Sequence, residues 1–136
     1  MTLSKKAITL LPLICMLFVY SLFTKAGDTG VIHLSQQEFK DKIAADTKNV
    51  TVIDVRTPSE FKRGRVPGAI NIPHDQILDN ISLLDKFADK DIVFYCHSGG
   101  RVGRVTDYLE DANYSKVYHL KGDYRAWRAN SQTIEK

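Results

Sequence analysis

A chain of 136 residues, 43% hydrophobic and 26% charged, has the size and composition of one globular domain and excludes a disordered or collagen-like chain. Its formal charge of +3 comes from three lysines in the first 26 residues; the remainder holds 16 basic and 16 acidic residues. A neutral domain offers no basic field to nucleic acid or to an anionic membrane.

Met1 to Lys6 is short and basic, Ala7 to Phe23 is a nearly continuous apolar run, and Thr24-Lys25-Ala26 follows. This order reads as the three regions of a secretory signal, an apolar signal helix removed by cleavage after Ala26. Residues 27–136 then form the domain, and its 110 residues can fold alone. The competing expectation is an uncleaved anchor, because 17 apolar residues reach the lower limit of a membrane span. Pro12, Tyr20 and Ser21 weaken that span. Either way the domain is expected outside the cytoplasm, periplasmic if the leader is cut. Cys15 leaves with the leader, so Cys96 becomes the sole thiol and no internal disulfide can form. An unpaired thiol in an oxidising compartment is either buried and inert or kept for its reactivity.

Along the domain, Ser35 with Glu38 three residues later forms a capping-box pattern, and Phe39, Ile43 and Ala44 continue with helical spacing. Val50 to Val55 is β-branched and mostly apolar, as in a strand buried on both faces. Thr57-Pro58-Ser59-Glu60 starts a short helix with proline in its first turn. Val66-Pro67-Gly68 is a turn, and Ala69 to Ile72 a short strand. Ile77, Ile81, Leu84 and Phe87 have the spacing of a further helix. Asp91 to Tyr95 is another buried strand and ends at Cys96; Val102, Val105, Leu109 and Ala112 then share one helical face. Lys116 to Leu120 completes the strands, and Asp123 to Ala129 is a short helix carrying Trp127 as a core aromatic. Alternating helices and continuously apolar strands predict an α/β domain with a parallel sheet.

Cys96 thus stands where a strand ends and a helix begins, the place where open α/β sheets bind ligands. In Cys96-His97-Ser98-Gly99-Gly100-Arg101 the small residues allow backbone N–H groups to turn toward one centre. The following helix adds its positive end. Arg101 adds a permanent cation whose planar donors suit an oxyanion. The loop can therefore favour a thiolate at Cys96 and hold an anion beside it. The competing readings are a small buried cysteine at a strand end and a surface salt bridge for Arg101.

Cys96-x-x-Gly99-x-Arg101 resembles the active-loop pattern of the rhodanese family, and three flanking segments resemble that family in the same order. These are Asp54-Val55-Arg56-x-Pro58-x-Glu60-Phe61, then Gly64 to Pro73, then Leu120-Lys121-Gly122 with Trp127. The resemblance implies a central five-stranded parallel sheet flanked by helices. It also implies transfer of sulfane sulfur from thiosulfate or polysulfide through a persulfide on Cys96 to a thiol or cyanide acceptor, with no metal or organic cofactor. His97, Ser98, Gly99, Gly100 and Arg101 would bind the anion. Related cysteine phosphatases and arsenate reductases place five residues between cysteine and arginine; here there are four, and the tighter loop favours a sulfur atom over phosphate.

Asp54, Arg56 and Glu60 could line the pocket, but an ionic network around Arg56 that supports the loop is the stronger expectation. His97 is expected at the rim, facing solvent. His33, His74 and His119 have no metal-ligand spacing and are expected to be solvated or structural. Two positions depart from the family pattern: Arg65 where histidine is frequent and Asp123 where a second glycine is frequent. Neither is a core catalytic position in that pattern, so both are expected to bear on substrate access more than on activity. A non-catalytic sulfur-carrier module is the rival reading, and an oxyanion-processing enzyme is the weaker one.

Overall fold

The computed structural model describes residues 30–110, 114 and 116–136. The leader read at residues 1–26 lies outside the described residues, as does Ala112. Five strands make one sheet: β1 (Ile32–Leu34), β2 (Val50–Asp54), β3 (Ile70–Asn71), β4 (Asp91–Tyr95) and β5 (Val117–Leu120). They run in the order β1-β5-β4-β2-β3, and every pair is parallel. The helices are α1 (Gln36–Ala45), α2 (Pro58–Arg63), α3 (His74–Asp79), α4 (Gly100–Leu109) and α5 (Asp123–Ala129). No helix among the described residues is long and apolar enough to cross a membrane.

The capping box predicted at Ser35 is realised, and the structure adds a second at Thr57. Ser35 and Thr57 accept from the N–H groups of Glu38 and Glu60, whose carboxylates return to the two cap N–H groups. Pro58 opens α2, where its missing N–H costs nothing. The helix expected from Ile77 to Phe87 is instead two pieces, α3 and a 3₁₀ segment at Ile81–Phe87. Asn80 makes the break: it leaves helical geometry at φ −150° and its side chain caps Ser82. Such local side-chain bonding competes with helix continuation even where apolar spacing is unbroken.

The sheet is buried on both faces, as continuously apolar strands require. Strand alternation divides the core: Val93 and Tyr95 pack with Phe39, Tyr124 and Trp127, whereas Ile92, Phe94 and Cys96 pack with Ile77, Leu84, Val102 and Val105. Trp127 is the core aromatic expected, edge-on to Phe39 at 5.6 Å between centroids. β4 therefore delivers Cys96 onto the α4 face at the carboxyl end of a central strand.

Candidate active site

Cys96 is 1% exposed, and the chain leaves β4 there and re-enters helix at Gly100. Gly99 enables the reversal: its φ of 99° lies in the left-handed region, where glycine alone carries no Cβ penalty. In this conformation the Gly99 N–H donates to Cys96 Sγ over 3.0 Å. Gly100, Arg101 and Val102 form the first turn of α4, whose N–H groups have no partners within the helix. Sulfur, one bonded N–H and the positive end of a ten-residue helix therefore share one small volume. His97 and Ser98 are exposed on the outer side of the loop, so His97 occupies the rim position expected of it.

Arg101 projects back to α2. Its Nη1 and Nη2 donate to the two carboxylate oxygens of Glu60 at 2.7 and 3.0 Å. This fork pulls the Glu60 pKa down to about 2, the Arg101 bonds being the largest cause. The Arg101 pKa is raised, first by Glu60, against desolvation, and also by the nearby Cys96. The salt-bridge reading of Arg101 is therefore the observed one, and it coexists with proximity to the sulfur. Glu60 anchors the loop through Arg101 and lies outside the ionic network centred on Arg56.

That network joins Asp54 and Arg56. The guanidinium of Arg56 grips both Asp54 oxygens, with Nη2 to Oδ2 at 2.6 Å, and donates to the Gly64 carbonyl at 2.7 Å. It also lies 3.9 Å above the Tyr124 ring, and the Tyr124 N–H donates to the Cys96 carbonyl at 3.0 Å. The pair is almost fully buried and holds the floor behind the loop. Outside it opens a cleft of about 710 Å³ whose wall includes Arg63, His97, Arg125 and Arg128. Those three arginines form no ion pair among the described residues. The cleft is therefore cationic beside the cysteine loop. Among the described residues no three His, Cys, Asp or Glu side chains converge as a metal site.

Residues 35–130 match the family model for the rhodanese-like domain. The chain belongs to that family. It is 39% identical to a sulfurtransferase of Allochromatium vinosum over 66% of this chain and 82% of the relative. It is 36% identical to thiosulfate sulfurtransferase 16 of Arabidopsis thaliana over 57% of this chain and 73% of that one. A crystal structure from Staphylococcus saprophyticus, 29% identical, superposes with a TM-score of 0.63 over 78% of this chain and all of that chain.

Within this rhodanese-like domain one residue has a place that sequence reasoning misjudged. Asp123, expected to lie apart from the core positions of the site, is 2% exposed and lies behind the loop, its Oδ1 accepting the Cys96 N–H at 2.8 Å. Its Oδ2 lies 3.0 Å from His119 Nε2, so His119 is joined to the site as well. Asp123 holds a φ of 55°, which costs a non-glycine residue about 1 kcal/mol. The sequence signal was the carboxylate standing where the family pattern has glycine. Arg65, the other departure, pairs with Glu135 at 3.4 Å and lies over the Phe61 ring.

Proposed function

We propose that this domain is a sulfurtransferase that takes sulfane sulfur from thiosulfate or polysulfide as a Cys96 persulfide and passes it to a thiol or to cyanide. The observation that carries this reading is the Gly99 N–H on Cys96 Sγ at 3.0 Å, in a loop closed by Arg101. The Cys96 thiolate attacks the outer sulfur of thiosulfate; the sulfur–sulfur bond of thiosulfate breaks, its electron pair leaves with sulfite, and a persulfide anion remains. The acceptor then attacks the outer persulfide sulfur and restores the thiolate. The N–H groups at the start of α4, together with Gly99, stabilise the anionic sulfur through both steps. The chemistry needs no metal or organic cofactor.

Cys96 is the nucleophile, and the backbone N–H groups of His97, Ser98, Gly99, Gly100 and Arg101 bind the anion. Asp54, Arg56 and Glu60 fix the loop. Arg63, Arg125 and Arg128, which form no ion pair among the described residues, attract the anionic donor into the cleft. Sulfurtransferase relatives support the reaction class, and four rather than five residues between Cys96 and Arg101 favour sulfur over phosphate. The apolar leader supports an exported domain, with a membrane anchor as the alternative.

Intact-mass measurement of the secreted protein after thiosulfate treatment tests these points together. A gain of one sulfur atom, absent from Cys96→Ser, is expected, on a chain beginning at Gly27. Loading without turnover to cyanide or a thiol would identify a carrier module instead. Turnover that survives in Cys96→Ser refutes the assignment.

A further inference from the structure

A thiol that must ionise lies beside a buried carboxylate, an arrangement that by Coulomb repulsion opposes formation of the thiolate. Asp123 accepts the N–H of Cys96 itself at 2.8 Å. Its other oxygen also packs against Gly99: a Cβ added there would lie 3.3 Å from Asp123 Oδ2. The same Gly99 donates to Sγ. The negative charge of Asp123 is therefore separated from the sulfur by a single glycine. The compensating group is His119, whose Nε2 contacts Asp123 Oδ2 at 3.0 Å.

His119 lies on β5 beside Phe94 of β4, two residues before the nucleophile. Its side chain is 15% exposed and lines a second opening on the far side of Gly99, so solvent protons reach it. The charged and titratable groups facing it are His33 of β1, at 5.2 Å between rings, Asp107 and Glu110 of α4, and Asp123 of α5. Arg101 of α4 faces the sulfur. Histidine gains and loses its proton around neutrality, and its charge decides whether Asp123 is neutralised.

We propose that Asp123 and His119 are a proton-sensitive positioning pair that sets the reactivity of Cys96. Asp123 holds the Cys96 backbone in place, and protonated His119 masks the Asp123 charge so that the thiolate forms readily. When His119 loses its proton the carboxylate is unmasked and the sulfur becomes harder to ionise. The pair thus couples the ionisation of Cys96 to the protonation of His119. The proposal rests on Cys96 as the reactive group, and its test reads the sulfur without sulfur transfer.

The test follows the rate of Cys96 alkylation by iodoacetamide against pH in the full chain carrying Cys15→Ser, which leaves one thiol. The expected profile has two inflections, one from the thiol and one from His119. His119→Gln leaves the Asp123 charge unmasked at every pH. Its profile should show one inflection, displaced upward by about one pH unit. Asp123→Asn keeps an oxygen for the Cys96 N–H but removes the charge, and its thiol inflection should move downward by a similar amount. A purely structural role would move both variants the same way. Profiles that superimpose on the parent, or that shift in the same direction, overturn the proposal. If Asp123→Asn does not fold by circular dichroism, the partly exposed His119→Gln decides alone: one raised inflection supports the pair, and the parent profile refutes it. Intact-mass loading with thiosulfate, run on the same proteins, separates failure here from failure of the sulfurtransferase reading.

Discussion

Arg101 reaches from the first turn of α4 to grip both carboxylate oxygens of Glu60, at 2.7 and 3.0 Å, and ties the cysteine loop to α2. The planar fork fixes the guanidinium in direction as well as distance, which one ammonium cannot do. Arg101→Lys keeps the charge and loses the fork. Sulfur transfer from thiosulfate to cyanide is expected to fall about tenfold in kcat, roughly 1.4 kcal/mol, with the fold intact by circular dichroism. Unchanged kcat would show that the fork does not position the reacting sulfur.

The same pair gives stability an acid dependence. Glu60 is lowered from 4.5 to about 2 in the folded state by Arg101. Between those values the unfolded chain binds the extra proton, so stability rises with pH across that window. The contribution is complete above about pH 4.5 and lost as pH falls toward 2. Glu60→Gln preserves the capping pattern with Thr57 and removes the ion pair. Urea unfolding should show it less stable by about 1 kcal/mol at pH 6, discounted for partial exposure, with the gap closing below pH 4.5.

Asp54 and Arg56 differ from that pair in burial, having almost no contact with solvent. Removal of one partner leaves a charge without compensation in the core, at a cost of about 3–5 kcal/mol. Arg56→Met should therefore lower the urea midpoint far more than Glu60→Gln. It should also weaken activity, because Tyr124, held under the guanidinium, donates its N–H to the Cys96 carbonyl. A midpoint within error of the parent would refute the supporting role.

Arg125 and Arg128 line the cationic cleft next to His97. Their replacement by serine, singly, should raise the KM for thiosulfate about two- to fivefold, the scale of one partly screened charge. kcat should change little, and the difference should shrink at high salt. A fall in kcat at constant KM would place these arginines in the chemical step instead.

Gly99 combines a φ of 99° with the N–H that reaches sulfur. Gly99→Ala must either hold a strained backbone or rotate that N–H away, and its Cβ would press on Asp123 Oδ2. We expect a loss of about 1–2 kcal/mol in stability and at least a tenfold slower gain of sulfur by intact mass. Loading at the parental rate would show that this N–H is dispensable.

The α/β class, the central buried strands, the Ser35 capping box and the Cys96 loop were legible in sequence because each is written in neighbouring residues. Apolar runs mark strands, Ser35 and Pro58 mark helix starts, and Gly99 marks a chain reversal. Spacing alone could not show the break at Asn80, where one side-chain bond outweighs a continuing apolar period. The division of the acidic residues was equally hidden: Asp54 joins Arg56, whereas Glu60 joins Arg101 across 41 positions of sequence.

Cys96 was identifiable as the one thiol of the domain, but its surroundings belong to the tertiary structure. His119 and Asp123 lie 23 and 27 residues beyond it, on β5 and α5, and meet it only because β5 packs beside β4 and the chain then turns back beneath the loop. Local sequence singled out the Cys96 sulfur as the candidate nucleophile. Sheet order decided which charges act on that atom, since electrostatic energy depends on distance through space and sequence records only distance along the chain.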